Sequence, residues 1–349
     1  MKKTIIRTGL ETLYFSGLHQ LMEPLVGGFG VILSMHHVRP RRAAGFQPNR
    51  MLEITPTFFE GLLRQLRRSG RDLISIEEMH QRLLSGASPR RFVCLTIDDG
   101  YRDIMQFAYP LLGKYKVPFT LYIPTSFPDG HGEIWWTALE AVIGNNRRIR
   151  LTMDGKGQVF ECDTNRAKRY AFKKIYGWLR ELKSEEQLRQ VIRDLAARHD
   201  VDIAAICSEN CMDWQELRRL SADPLCTIGA HTVNHVMLKK LDSDDAVRLE
   251  MQKSREILEA ALGVRPQHLS YPLGDPTSAG PREFRIAAEL GFKTAVTTRP
   301  GVIFKSHRER LTALPRIPVN GEFQSHRCLK VLISGAATAM RDSIRHASG

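Results

Sequence analysis

FVCLTIDDG, at residues 92–100, is an apolar run that ends in two adjacent carboxylates and a glycine, and it is the most informative segment of the chain. A short apolar run of this kind is typical of a buried strand, and Gly100 permits the turn that ends it. Asp98 and Asp99 can then converge on one site at the frayed strand end, where a cation would relieve their repulsion. Taken alone, the pair is equally consistent with a turn that carries two solvated aspartates.

Apolar runs and amphipathic stretches alternate on both sides of this segment. The runs that we predict as strands are 30–35, 92–97, 117–123, 225–230, 268–272 and 293–298. The stretches that we predict as helices are 57–69, 76–85, 104–115, 213–221, 243–262 and 281–290. Such alternation predicts an α/β fold with a mostly parallel sheet, open or closed into a barrel. In a barrel, the carboxyl ends of the strands form the active-site face, and the polar motifs of this chain fall there.

One region, at about 129–213, interrupts this alternation with a hydrophilic stretch and two charged helical patterns at 167–183 and 185–199. We interpret it as a mainly helical insertion in a barrel that covers 30–335. It begins near Trp135-Trp136, which could stack on sugar rings or pack in a core.

The two ends of the chain lie outside the predicted barrel. Residues 1–29 are predicted to form an amphipathic helix, and 336–349 a C-terminal tail. The apolar positions that recur at helical spacing are Leu10, Leu13, Tyr14, Leu18 and Leu21. This stripe can pack on the protein or on a membrane surface.

A second motif, GAHTVNH at 229–235, follows another predicted strand. If the segment turns helically, His231 and His235 lie on one face, so that both imidazoles can reach a single metal ion. A histidine pair alone is more often structural. Together with a carboxylate from a second strand end, it would form a two-histidine, one-carboxylate site with open positions for water and substrate.

The two motifs, in this order, resemble those of the polysaccharide deacetylase family, the carbohydrate esterases that include the nodulation-type chitooligosaccharide deacetylases. The family's Thr-Phe-Asp-Asp-Gly resembles TIDDG at 96–100, and its His-Ser/Thr-x-x-His matches 231–235. Its third motif, usually Arg-Pro-Pro-Tyr-Gly, resembles SYPLG at 270–274. The resemblance extends from about residue 36 to 319, outside much of the insertion, and implies a distorted (β/α) barrel of the polysaccharide deacetylase type with a helical insertion.

Carried over by position, the resemblance implies that Asp98 is the general base. It implies that Asp99, His231 and His235 bind a divalent metal, with zinc expected, and that the backbone N–H of Leu273 donates to the oxyanion. The implied reaction is the hydrolysis of N-acetyl groups from an N-acetylhexosamine-containing polysaccharide, oligosaccharide or precursor. The metal would polarise the amide carbonyl and acidify its bound water, and the base would take the proton.

The chain departs from the family pattern at three places. Ser270 replaces the arginine of the third motif, Leu273 replaces its tyrosine, and no late segment supplies the family's general-acid histidine. A rearranged subset of the family has a Tyr-His-x-Val/Ile motif near the N-terminus, which MHHV at 35–38 resembles, so His36 becomes the candidate acid. In LPRIPV at 314–319, which resembles the end segment of that subset, Arg316 could replace the missing arginine beside Asp98. Either residue could instead be an ordinary core or surface side chain.

The net charge of +13 favours an anionic partner. Basic residues cluster at 39–42, 64–71, 147–150 and 166–174, which would suit nucleic acid, anionic lipid or a phosphate-linked glycan. We do not expect nucleic acid, because no zinc-finger, RNP or helix-turn-helix signature accompanies the charge. Besides the acetylated glycan substrate, the expected partner is an anionic membrane surface, with a merely basic soluble enzyme as the alternative.

The N-terminal residues and the cysteines bear on location. Charged and polar residues interrupt the apolar positions of the first 29 residues, so no apolar core of a signal peptide forms. Six cysteines show no dense disulfide framework. We therefore expect a cytoplasmic protein, either peripheral at the inner membrane or simply soluble.

Two other functions remain open at the level of the sequence. One is an O-acetyl esterase that acts on the same kind of glycan. The other is a non-catalytic barrel that binds glycan or anionic lipid, against which Asp98 argues, since a binding protein would not need that carboxylate beside the metal ligands.

Overall fold

The computed structural model describes residues 2–43 and 45–347, and in it short strands alternate with helices. The strands are β1 (Gly30–Met35), β2 (His37–Val38), β3 (Glu53–Ile54), β4 (Asp72–Leu73), β5 (Phe92–Asp98), β6 (Phe119–Ile123), β7 (Arg148–Met153), β8 (Lys156–Glu161), β9 (Cys226–Ala230), β10 (His268–Ser270), β11 (Thr294–Val296) and β12 (Ile317–Pro318). The α-helices are α1 (Lys2–Phe15), α2 (Leu18–Val26), α3 (Pro56–Arg67), α4 (Ile76–Ser85), α5 (Tyr109–Lys114), α6 (Trp135–Asn145), α7 (Asn165–Glu181), α8 (Glu185–Arg198), α9 (Ile203–Asn210), α10 (Trp214–Ser221), α11 (Asp244–Leu262), α12 (Pro281–Glu289), α13 (His326–Ile333) and α14 (Ala336–Ala347). Short 3-10 helices cover Pro48–Leu52, Leu238–Lys240, Lys305–Glu309 and Leu311–Ala313, and a π-helical turn at Ile104–Ala108 precedes α5.

A parallel sheet in the order β11-β10-β9-β6-β5-β1-β12 forms the centre of the molecule, and β4 pairs with the start of β5. At one edge β12 pairs with β1. A parallel bridge between Val296 and Leu314 ties the other edge to the segment just before β12, so the sheet curls toward closure. The predicted distorted (β/α) barrel is confirmed.

The six predicted strands are all present, for a simple reason. Strands β1 and β5 are buried along their whole length, and a strand covered on both faces is apolar at every position. Strand β10 ends at Ser270, earlier than expected, because the chain turns there into a loop in which Leu273 and Gly274 both have a φ of 61°.

The insertion has an apolar core of its own, which includes Trp135, Trp136 and side chains of α7 and α8. Besides the expected helices it contains an antiparallel hairpin, β7–β8, which the sequence analysis did not predict. Asp154 and Gly155 at its turn have φ values of 51° and 75°, as a two-residue hairpin turn requires.

The N-terminal segment is two helices rather than one, because the chain breaks at Gly17, whose φ is 72°. Leu10 and Leu13 are buried against α13, whereas Leu18 and Leu21 are 41% and 76% exposed. The apolar stripe therefore packs on the protein along α1, but not at Leu18 and Leu21 of α2. The expected C-terminal tail is largely α14, which contacts α2, while Met1 and residues 348–349 lie outside the described residues. Among the described residues no helix is both long and apolar enough to cross a bilayer.

Candidate active site

The two carboxylates lie at the carboxyl end of β5, next to the ends of β1, β9 and β10. Asp98 is the last residue of β5, and Asp99 with a φ of 72° and Gly100 with a φ of 68° turn the chain back. Both aspartates are only 2% exposed. The alternative of a turn with two solvated aspartates is therefore wrong.

Asp99 faces the two histidines of the second motif. Its Oδ1 lies 3.4 Å from Nε2 of His231 and 3.3 Å from Nε2 of His235, and one ligand atom from each residue lies within 4.8 Å of the others. The histidines sit on a loop rather than on the helical turn expected from their spacing. Left-handed backbone at Thr232 (φ 65°) and at His235 (φ 54°) makes this loop, and the Thr232 hydroxyl accepts a hydrogen bond from the His235 N–H.

These three residues fit a divalent metal ion. Asp99 Oδ1 is buried and accepts no hydrogen bond from the described residues, which would be costly for a carboxylate without a cation. Burial alone would raise the pKa of Asp99, but the two imidazoles outweigh it and hold that pKa well below its usual value. His231 Nδ1 donates to the carbonyl oxygen of Ser270 at 2.7 Å, which leaves Nε2 free to bind a metal. Two imidazoles and one carboxylate are a donor set that zinc and similar ions accept.

Asp98 accepts a fork of hydrogen bonds from Arg316. The two guanidinium nitrogens Nη1 and Nη2 donate to the two carboxylate oxygens at 2.8 and 2.7 Å, and Arg316 is fully buried. Arg316 also donates to Thr96, Ser270 and the carbonyl oxygen of Thr297. Burial raises the pKa of Asp98, but the charge and hydrogen bonds of Arg316 outweigh this effect, so the pKa lies below its usual value. Arg316 is thus neither a surface side chain nor unpaired.

His36 lies on the solvent side of this pair. Its Nε2 is 4.0 Å from Asp98 Oδ2, and its side chain is 26% exposed. Burial, helped by the nearby charge of Arg316, lowers the pKa of His36, although the carboxylates of Asp99 and Asp98 act to raise it. His37 points to the opposite side of the chain, as strand alternation predicts, and donates from Nδ1 to Asp103 at 2.6 Å.

The loop after β10 brings Leu273 to the same end of the barrel. The Thr298 hydroxyl donates to the Leu273 carbonyl oxygen at 2.5 Å, and the Thr298 N–H donates to the Gly274 carbonyl oxygen at 3.1 Å. The N–H of Leu273 makes no hydrogen bond within the described residues. The loop is therefore anchored, while this N–H is available to a ligand.

The comparison with known families agrees with this geometry. The family model described as polysaccharide deacetylase matches residues 85–295, which is more than half of the chain. The chain belongs to the polysaccharide deacetylase family. No curated protein matches it.

Several solved structures share the fold over nearly their whole length. The Streptococcus pyogenes deacetylase PplD, solved with acetate, has a TM-score of 0.56 and 19% identity, over 86% of this chain and 97% of that one. IcaB from Ammonifex degensii has a TM-score of 0.53 and 17% identity, over 87% and 98%. The BpsB deacetylase domain from Bordetella bronchiseptica has a TM-score of 0.51 and 18% identity, over 84% and 96%.

In the motif pattern of polysaccharide deacetylases an arginine stands where this chain has Ser270. Arg316, from a distant part of the chain, takes the place of that arginine. Ser270 Oγ accepts a hydrogen bond from Arg316 Nη2 at 3.1 Å. Because serine is small, it leaves space beside Asp98 for the side chain of Arg316, the residue just before β12. The site therefore has a guanidinium against Asp98, supplied from late in the chain.

Two residues that flank the candidate site were not predicted from the sequence. Asp103 binds His37, and Tyr101 stacks on His37 with ring centroids 3.7 Å apart. The signal was their position just after Asp99, since residues that follow a strand end can fold back over it. Trp135 and Trp136 are buried, and Trp136 packs on His235 with ring centroids 4.9 Å apart, so they pack in the core rather than stack on sugar.

Proposed function

We propose that this chain is a metal-dependent hydrolase that removes N-acetyl groups from an N-acetylhexosamine-containing polysaccharide, oligosaccharide or precursor. Membership in the polysaccharide deacetylase family supports the coarser function, deacetylation of a glycan. The observation that carries the finer one is the placement of Asp98, held by Arg316, directly beside the three ligands Asp99, His231 and His235. A chitooligosaccharide is one substrate of this class.

Each residue has a task in this reaction. A divalent cation at Asp99, His231 and His235 would polarise the acetamide carbonyl and acidify a water molecule. Asp98 is ionised, since Arg316 keeps its pKa low, and it takes the proton from the attacking water. The N–H of Leu273 donates to the oxygen of the carbonyl as it gains negative charge.

His36 completes the cycle by protonating the leaving amine. Its Nε2 lies 4.0 Å from Asp98 Oδ2, and its side chain is partly open to solvent, from which it can take up the proton that it donates. An amine is a poor leaving group until it is protonated, and for this reason an acid at this position favours amide over ester hydrolysis.

Acetate release from matched substrates tests the choice between amide and ester. The purified protein should release acetate from an N-acetylated oligosaccharide much faster than from an O-acetylated oligosaccharide with the same backbone. Faster release from the O-acetylated substrate would make the protein an esterase. Binding of both without release would make it a glycan-binding barrel.

We expect His36→Ala to lower kcat by about 10²-fold, the usual contribution of a general acid, while metal content and fold are retained. Steady-state kinetics with metal analysis would measure this. His307 is the control, because it lies at the end of the barrel opposite the active site. It belongs to the 3-10 helix that follows Ile303, and Ile303 pairs with the first residue of β1. A nearly fully active His36→Ala protein, or an equal loss in His307→Ala, would exclude His36 as the acid.

We also propose a cytoplasmic location with loose binding to the anionic inner membrane surface. The cysteines are free thiols, five of them buried, as a reducing compartment allows. Apolar side chains of α1 and α2 are exposed, and they are Ile5, Ile6, Phe15, Leu18, Leu21 and Leu25. A neighbouring cavity is lined by basic residues of α3 and α13, together with Arg71. Apolar insertion with basic residues nearby is the usual chemistry of peripheral binding.

Sedimentation with liposomes tests this proposal. Wild type should pellet with anionic liposomes at low salt and less so at high salt, because basic residues near an anionic surface contribute about 1 kcal/mol each. Leu21→Glu with Leu25→Glu should reduce binding, whereas Leu249→Glu, at an exposed leucine of α11, should not. No binding at low salt, or the same loss in both variants, would refute it.

A further inference from the structure

A strongly basic cavity of about 480 Å³ lies between the loop after β2 and the insertion. The only carboxylate among the described residues that line it is Glu53. The five arginines that line it are Arg39, Arg41, Arg42, Arg50 and Arg169. Neither the motifs nor the reaction proposed above makes use of these residues.

Glu53 holds two of the arginines in place. It is 6% exposed, and Oε1 accepts hydrogen bonds from Arg39 Nη2 and Arg42 Nη2, each at 2.6 Å. Burial raises the pKa of Glu53, but the two guanidinium groups outweigh this effect and lower it, so the carboxylate is ionised. Glu140 binds Arg42 from the other side at 2.7 Å. The carboxylates thus fix these two guanidinium groups at the wall of the cavity.

The other three arginines carry charge that no neighbour neutralises. Arg41, Arg50 and Arg169 are exposed, and none has an ion pair or side-chain hydrogen bond to any residue in 2–43 or 45–347. Like charges that converge on one cavity repel, and a bound anion would relieve that repulsion.

The insertion supplies one wall. Arg169 lies on α7, one turn before Phe172, and the Phe172 ring packs on that of Phe46 with centroids 6.1 Å apart. This contact brings the loop after β2 against the insertion. The cavity is therefore built from distant parts of the chain rather than from one basic run.

The cavity is close to the reacting groups. Arg39 follows His36 by three residues, a span of at most about 11 Å even in extended chain. Arg39 Nε lies 3.9 Å from Asp103, the residue that binds His37. The same strand pair, β2 and β3, carries His37 and Glu53 side by side.

We propose that this cavity binds an anionic group of the glycan, a phosphate, pyrophosphate or carboxylate on the sugar chain near the acetamide that is hydrolysed. The planar fork of an arginine matches the oxygens of these groups in pairs, which a solvated surface charge does not. The assignment rests on the proposed deacetylase function for its substrate, and it makes that substrate an acidic glycan.

Direct binding to the full-length, metal-loaded protein tests the cavity without any turnover. Inorganic pyrophosphate and trigalacturonate, titrated separately by calorimetry, stand for the phosphate and carboxylate sources. We expect at least one to bind, and Arg50→Glu with Arg169→Glu to weaken that binding at least about tenfold, since each lost charge-assisted hydrogen bond is of that order. Arg50→Lys with Arg169→Lys should recover part of it.

The matched control is Arg90→Glu, an exposed arginine in the loop before β5, at the opposite end of the strands. A loss in Arg90→Glu equal to that in the double variant would reduce the effect to net charge and overturn the proposal. So would binding of neither probe, or no change in the double variant.

A kinetic comparison links the cavity to catalysis. The ratio of kcat/KM for an acidic over a neutral N-acetylated oligosaccharide should fall at least about tenfold in the double variant, mainly through KM. An unchanged ratio would overturn the subsite. If the probes bind as expected but no glycan releases acetate, the deacetylase function fails while the anion site stands.

Discussion

Replacing Asp99 or His235 with alanine is expected to remove the bound metal and to lower kcat by about 10³-fold or more. The physical reason is that the metal contributes several kcal/mol of charge stabilisation to the transition state, and each 1.36 kcal/mol is tenfold in rate. Both side chains are buried and belong to the cluster of three possible ligands, so each substitution removes one third of the donor set. Elemental analysis of the purified variants, together with their steady-state kinetics, measures both effects.

The control for metal loss is a buried histidine elsewhere. His80 of α4 is 7% exposed and lies outside the cluster of ligands, so His80→Ala should keep about one equivalent of metal and most of the activity. Full metal occupancy in the His235→Ala protein would contradict the assignment of the ligands.

Asp98→Asn is expected to lower kcat by about 10² to 10⁴-fold while the metal stays bound, since an amide cannot take a proton from water. It should also destabilise the fold. Asp98 compensates the buried guanidinium of Arg316, and breaking a buried pair from one side costs about 3–5 kcal/mol. The amide oxygen retains one acceptor, so the measured loss should fall at the lower end.

A second variant separates catalysis from stability. Asp98→Asn combined with Arg316→Met removes both charges, and the melting temperature should recover while activity does not. Recovery of activity along with stability would mean that Asp98 acts by holding the fold rather than as a base. Loss of metal in Asp98→Asn would likewise contradict its separation from the ligand set.

The strands that position the site were predictable because each is determined by a short, continuous run of apolar residues. A strand that is buried on both faces must be apolar throughout, and β1 and β5 are such strands. The polar residues that follow them stand out against the apolar run. Strands β2, β3, β4 and β12 have two residues each and show no period, so they appear only once the chain is folded.

The backbone of the ligand loop could not be predicted for a different reason. A left-handed conformation is usually marked by glycine, yet Thr232 and His235 adopt it here without any such residue. Tertiary contacts hold the loop, and those contacts are not visible in the spacing of two histidines. The spacing predicted the shared target of the imidazoles but not the path of the chain between them.

The pairing of Arg316 with Asp98 could be predicted only from the family resemblance. Nothing in the composition joins it to Asp98, 218 positions away, and only the resemblance of the segment at 314–319 suggested the pair. The basic cavity could not be predicted from the sequence. It forms only because the contact between Phe46 and α7 brings Arg169 to the loop after β2.

The most direct test is to measure acetate and free amine together, from N-acetylglucosamine polymers and lipid-linked precursors incubated with the protein, a chelator and added zinc. We expect equal amounts of acetate and amine from at least one N-acetylated glycan, loss of both with chelator, recovery with zinc, and little of either from Asp98→Asn. Release that persists undiminished after complete removal of the metal, or acetate without amine, would contradict a metal-dependent N-deacetylase.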